Sequence, residues 1–277
     1  MNNLRNPGAT TDCPGRSLGN GHAFDAEPGH DTPWNGHGIG LNLRPLAEGE
    51  NVCHGLFRTG DVTILRPDQA RRLRDHGGIR FFLDLRGESE LRRYGRALSL
   101  EQVGIAILNW PVMARDASAI TGRRPGNKAY ARYYFSILDD MAAHVSDLFA
   151  WLAALKGAPL LFGCHAGKDR TSLVAMLLLH VLGANTPVIA RDHEQSGAHL
   201  LPHLHHFRDK WERKGETPEE YAVRLDARGE TMRQTLEMIE EAFGGIGAWL
   251  KQCGVQEHHL QAIRLHYGRS TMTQGPT

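Results

Sequence analysis

The stretch from Leu160 to Leu182 constrains this chain more than any other part of it. Leu160-Leu161-Phe162 is a short apolar run bounded by Pro159 and Gly163, the pattern of a buried strand. A loop follows, Cys164-His165-Ala166-Gly167-Lys168-Asp169-Arg170-Thr171, and residues 171–182 then predict a helix. That helix is apolar nearly all round (Leu173, Val174, Met176, Leu177, Leu178, Leu179, Val181, Leu182), so other elements must cover it on every side. A strand feeding a tight loop and a wholly buried helix is a unit of α/β architecture.

The loop has the spacing Cys-x5-Arg. A thiol placed just before a helix N-terminus faces N–H groups and a dipole that favour its anionic form. The backbone N–H groups of His165, Ala166 and the residues after them can ring the oxygens of a phosphate. Gly167 lets the backbone curl, and Arg170 offers a planar fork matched to two phosphate oxygens. Lys168 is expected as a mobile positive charge at the rim, and the Thr171 hydroxyl as a hydrogen-bond partner of the sulfur. Cys-x5-Arg alone is a weak signal; the full string between a strand and a buried helix is a strong one.

Three upstream segments belong with it: Leu41-Asn42-Leu43-Arg44, Phe57-Arg58-Thr59-Gly60, and Leu83-Asp84-Leu85-Arg86 with Glu90. Together with Cys164-x-Ala166-Gly167-Lys168-Asp169-Arg170-Thr171 they resemble the atypical bacterial tyrosine phosphatases of the dual protein and lipid type. The resemblance spans roughly residues 40–182. It implies a tyrosine-phosphatase-like central sheet flanked by helices, with additional C-terminal helices. It also implies phosphomonoester hydrolysis through a phospho-cysteine on Cys164, with Arg58 and Arg86 among the groups around the phosphate. Two positions depart from the pattern: Gly163 stands where the family often has His, and Ser172 where it often has Gly.

The proton donor is open among three aspartates. Trp110-Pro111-Val112 begins like the mobile acid loop of many tyrosine phosphatases but lacks its Asp. The resemblance points to Asp169, inside the loop. Asp84 is second, either as acid or as an orienter of Arg170 or Lys168, against a purely structural role beside Arg86 or Arg58. Asp116 is third.

Elsewhere, residues 1–38 are rich in Gly, Pro, Asn, Asp and His and read as a flexible arm, with a single domain from 39 onward. Pro67 to His76 predicts a helix stopped by Gly77-Gly78, and Ile79–Leu85 and Gly104–Trp110 predict strands. Met141, Val145, Leu148, Leu152 and Leu155 predict one helix ended by Gly157 and Pro159. Thr217-Pro218-Glu219-Glu220 has the form of a capping box, and helical pattern continues to Tyr267.

Composition sets the remaining bounds. Hydrophobic content of 41% with 23% charged residues is that of a globular domain, and a net charge of +1 gives no general pull toward nucleic acid. Basic and aromatic residues do not interleave as a nucleic-acid groove requires. No apolar run suffices for membrane insertion, the N-terminus has no apolar signal core, and four scattered cysteines suit a reducing cytoplasm. The Arg-rich stretch 66–96 could face an anionic substrate or simply solvent. His203-Leu204-His205-His206 reads as surface histidines, with no carboxylate at matching spacing, and the expected chemistry needs no metal or other cofactor. Asp192-His193-Glu194-Gln195-Ser196 is placed to reach the pocket rim. Tyr133, Tyr134 and Trp211 read as core or lid packing.

Overall fold

A computed structural model describes residues 39–112 and 126–269. The expected arm at 1–38 and Asp116 lie outside the described residues.

The sheet is built from β1 (Arg44–Pro45), β2 (Leu56–Thr59), β3 (Phe81–Asp84), β4 (Ala106–Asn109) and β5 (Leu160–Gly163). Their order is β1-β2-β5-β3-β4; β1 runs antiparallel to β2, and the other pairings are parallel. β5 is central. In register, Gly163 lies beside both Thr59 and Asp84, so three segments singled out in the sequence end together at the carboxyl edge. Open α/β sheets bind ligands at that edge.

Side-chain alternation divides the core in two. Leu160 and Phe162 join Leu56 and Leu83 on one face, whereas Leu161 joins Phe57 and Phe82 on the other. The second face is covered by α1 (Pro67–Asp75) and α3 (Leu98–Gln102), with α2 (Glu88–Tyr94) between them in the chain. The first face carries α4 (Asn127–Ala142), α5 (Val145–Ala154) and the buried helix α6 (Asp169–Val181). Each fully buried Leu or Phe side chain there contributes roughly 1.5–3 kcal/mol of transfer free energy.

The C-terminal third is helical, as expected: α7 (Thr186–Leu200), a 3-10 segment (Leu201–Phe207), α8 (Arg208–Lys214), α9 (Pro218–Leu225), α10 (Gly229–Phe243), α11 (Ile246–Gln252) and α12 (Glu257–Tyr267). α4, α7, α11 and α12 pack around α6, which explains its all-round apolar surface. The capping box forms: the Glu220 N–H donates to Thr217 Oγ1 at 3.2 Å, and the Thr217 N–H donates to Glu220 Oε2 at 2.9 Å. Leu41, Leu200, Phe207, Trp211, Tyr221 and Leu225 form a smaller cluster, against which Ala166 of the loop packs. The C-terminal helices therefore build one wall of the site.

Two boundaries differ from the sequence expectation. Ala142 ends one helix and Val145 begins another, with His144 between them at φ −128° and ψ −4°. No glycine or proline marks that break, and apolar spacing runs through it because both helices bury their faces in the same core. α6 starts at Asp169 rather than Thr171, which puts Asp169 and Arg170 in its first turn.

Candidate active site

Cys164 follows the last residue of β5 and is 4% exposed. The Thr171 hydroxyl lies 3.2 Å from its sulfur and is placed to donate to it. The loop rests on the end of β2. Gly167 has φ +68°, and a Cβ there would lie 2.4 Å from the Thr59 carbonyl oxygen, so only glycine fits. A Cβ on Gly163 would lie 2.5 Å from the same oxygen. The departure to glycine at that position thus matches a close approach of β5 to β2. Backbone N–H groups from His165 to Arg170 make no hydrogen bond among the described residues. They form a ring of donors at a helix N-terminus, a concavity suited to an anion.

Arg170 is oriented by α2. Its Nη1 and Nη2 donate to the two oxygens of Glu90 at 2.5 and 2.6 Å, and Nη1 also reaches the Leu85 carbonyl at 3.3 Å. Glu90 Oε2 in turn accepts from the Gly87 N–H at 3.0 Å. Burial pushes the Glu90 carboxyl upward, but the hydrogen bonds and charge of Arg170 outweigh it and hold the group at about 2.

Behind the loop lies a buried polar brace. Asn42 Nδ2 donates to the Gly167 carbonyl at 2.8 Å, and Arg58 Nη2 donates to the same oxygen at 2.7 Å. Arg58 also pairs with Asp192 and donates to Ser172 Oγ at 2.8 Å. Arg44 reaches Asn42, the Asp192 carbonyl (2.7 Å) and Ser196 Oγ (3.0 Å). His193 Nδ1 lies 2.9 Å from Ser172 Oγ. Burial, then the charge of Arg58, pulls Arg44 down to about 9. Ser172 is therefore a working member of the brace. Arg58 is fully buried behind the loop and does not line the cleft, whereas the resemblance implied a place around the phosphate. Asp192 likewise sits behind the loop, away from the rim.

Asp84 takes the structural pairing with Arg86 that the sequence left open, whereas Arg86 is away from its expected place around the phosphate. Arg86 Nε and Nη2 bind the Asp84 carboxylate at 2.9 and 2.7 Å, and the Arg86 N–H donates to it at 3.0 Å. Both residues are buried, and neither lines the cleft over Cys164. Asp84 thus engages Arg86 and orients neither Arg170 nor Lys168. The short D-L-R turn closes on itself because Asp84 and Arg86 lie within hydrogen-bonding reach across one residue.

The cleft has a volume of about 570 Å³. Cys164, His165, Ala166, Lys168, Asp169 and Arg170 form its floor and nearest wall. Lys168 is buried, not mobile at the rim: its Nζ donates to the Arg224 carbonyl, lies 3.3 Å from Asp169, and sits over the Tyr130 ring at 4.7 Å. Burial opposes its charge, but Asp169 and Tyr130 raise it above its ordinary value. Tyr134 donates to Asp169 Oδ1 at 2.7 Å. Burial and the Asp169 charge push that phenol well above its ordinary range, so it remains a donor. Tyr94, Tyr130, Tyr133 and Tyr221 supply aromatic surface, and Arg93, Lys210 and Arg213 supply positive charge farther out.

The sequence profile of the tyrosine phosphatase family matches residues 40–269. The chain belongs to that family. It is 23% identical over 264 residues to the triple specificity protein phosphatase PtpB of Mycobacterium tuberculosis, covering 80% of this chain and 95% of that one. It is 27% identical over 143 residues to a tyrosine-protein phosphatase of Nostoc commune, covering 50% of this chain and 48% of that one. As a member of the family it is a phosphoric monoester hydrolase that works through a cysteine. Among the described residues, no helix is long and apolar enough to cross a membrane.

Several residues of this phosphatase's cleft escaped the sequence reading. Lys210 lies in the short helix α8, and its Nζ is 5.8 and 5.7 Å from the centres of the Tyr94 and Phe207 rings. Burial, and then Arg170, lowers its pKa below the ordinary lysine value. Of the Arg-rich stretch, Arg93 reaches the cleft, whereas Arg92, Arg74 and Arg96 pair with Glu88, Asp75 and Glu101 at the surface. Only helix–helix packing brings Lys210 and Arg213 to the loop, and no local pattern announces it. His203 and His205 are exposed, as expected, but His206 turns inward toward Asp61.

Proposed function

We propose that this phosphatase hydrolyses phosphotyrosine-like aryl phosphates through a phospho-cysteine on Cys164. The thiolate attacks phosphorus in line; the S–P bond forms as the bond to the leaving oxygen breaks. Asp169 gives its proton to that oxygen. The loop amides and Arg170 hold the charge spread over the three equatorial oxygens. Asp169 then takes a proton from water as the water oxygen attacks phosphorus, and the S–P bond breaks to release phosphate and thiolate. Thr171 stabilises the sulfur as it departs.

The observation that carries the aryl preference is the cleft lining. Tyr94, Tyr130, Tyr133 and Tyr221 surround the approach to Cys164, and flat rings stack well on such walls. Arg93, Lys210 and Arg213 favour a second reading, in which substrates bearing further negative charge, such as phosphoinositide headgroups, are also accepted. The Mycobacterium tuberculosis relative carries triple specificity in its name, which agrees with a cleft open to more than one phosphorylated class.

Turnover compared across phosphotyrosine peptides, inositol phosphates, sugar phosphates and nucleotides tests this. Higher kcat/KM on phosphotyrosine peptides than on sugar phosphates or nucleotides is expected. A preference for a sugar phosphate would overturn the aryl assignment and favour a metabolite substrate.

A further inference from the structure

His165 has no ordinary explanation in the family chemistry. Its ring is 1% exposed, yet neither Nδ1 nor Nε2 has a hydrogen-bond partner among the described residues. Buried polar nitrogens are nearly always satisfied, and two orphans on one ring ask for a partner that the chain itself does not supply. The edge of the Tyr94 ring closes one side of it, with centroids 4.0 Å apart.

Two other groups converge there. Asp61, which caps the 3-10 turn Val62–Ile64, is 3% exposed; its Oδ1 accepts from Thr63 Oγ1 at 2.7 Å and from the Thr63 N–H at 3.0 Å. Its Oδ2 faces His206 Nε2 at 3.2 Å. The His206 ring centre lies 5.8 Å from that of His165. One ligand atom from each of Asp61, His165 and His206 falls within 4.8 Å of the other two. Two cations lie near: Arg86 Nη1 is 3.8 Å from Asp61 Oδ1, whereas His206 faces Oδ2, and the charge of Lys210 acts on His165.

We infer that Asp61, His165 and His206 form a binding site for a divalent transition-metal ion of the zinc type, set on the residue next to Cys164. Two imidazoles and one carboxylate are a donor set that such ions take, with a fourth position left for water or a further ligand. Tetrahedral ligands about 2.0–2.1 Å from the ion stand roughly 3.3 Å apart. The Asp61–His206 separation of 3.2 Å already matches, and the His165 ligand atom lies within 4.8 Å of both, so it would have to move closer to complete the set. The ion would tie the turn after β2, the catalytic loop and the 3-10 segment before α8 into one unit. Nitrogen donors exclude magnesium and calcium as good occupants. This site stands apart from the roles given to Cys164 and Asp169.

The test uses the full chain with Cys164→Ser, so that the nucleophilic thiol cannot hold the ion. Zn2+ is titrated calorimetrically, and Co2+ by its visible absorption. One tight equivalent of each is expected, insensitive to excess Mg2+. Asp61→Asn and His206→Ala in the same background should each weaken it at least 10-fold. Circular dichroism checks that the variants fold, and His206→Gln stands in if His206→Ala does not. No binding to the Cys164→Ser chain, or equal affinity in folded Asp61 and His206 variants, would overturn the assignment. Because the readout is binding rather than turnover, its failure leaves the phosphatase reading untouched.

Discussion

Both carboxylate oxygens of Glu90 are held by Arg170, at 2.5 and 2.6 Å, so the Arg170 guanidinium is oriented by a helix from another part of the chain. Fork-to-fork pairing of this kind fixes a plane as well as a position. Glu90→Gln should lower kcat/KM on an aryl phosphate by about 10²-fold, the scale of a misplaced catalytic group. Alkylation of Cys164 by iodoacetamide, which needs no arginine fork, should proceed at nearly the wild-type rate. Equal losses in both assays would mean that Glu90 supports the whole loop.

The same pair makes stability depend on acid pH. Glu90 is held at about 2 in the folded chain, below its ordinary 4.5, so the unfolded chain binds its proton first as pH falls. The contribution is fully present above about pH 4.5 and fades as pH approaches 2, with a size on the order of 3 kcal/mol. Urea unfolding of wild type and Glu90→Gln should therefore differ most near pH 6 and converge toward pH 3. A constant difference across that range would contradict the assignment.

Breaking the buried brace should cost more than any surface change. Asp192→Asn leaves Arg58 without its counter-charge in a site closed to water, and about 3–5 kcal/mol of stability should be lost. Urea denaturation measures it. Arg58→Lys should not rescue, since an ammonium cannot reach Asp192, Gly167 and Ser172 together.

The sheet, the buried helix and the loop between them were legible because each rests on local pattern: apolar runs for β3 and β5, and all-round apolarity for α6. The brace was half legible. Asn42, Arg44 and Arg58 stood out as motif residues, but their partners Asp192 and Ser196 lie more than a hundred residues away, so position behind the loop is a tertiary fact. Lys168 was misplaced for the same reason. A lysine between Gly167 and Asp169 looks solvent-bound until Arg224 and Tyr130 arrive from other helices. The inward turn of His206 depends on Asp61, far away in sequence.

Asp169 is expected to act on the leaving group. Asp169→Asn should lower kcat by about 10²–10⁴-fold on alkyl phosphates, whose oxygen needs a proton, and much less on nitrophenyl phosphate. The dependence of log kcat on leaving-group acidity should steepen in the variant. An unchanged slope would remove Asp169 from that role and return Asp116 to consideration.

Glycine at 163 and 167 should be irreplaceable. Gly167→Ala adds a methyl 2.4 Å from a backbone oxygen at φ +68°, and Gly163→His adds a larger group at a point where even Cβ comes to 2.5 Å. Both should lower thermal stability, and Gly163→His should lower activity despite matching the residue often found in the family.

The most direct test of the phospho-cysteine account is to quench the working enzyme in acid with an aryl phosphate present and locate the phosphoryl group by peptide mass spectrometry. It should sit on Cys164, accumulate further in Asp169→Asn when a nitrophenyl substrate is used, and vanish with all turnover in Cys164→Ser. Phosphate on another residue, or undiminished hydrolysis by Cys164→Ser, would contradict the account.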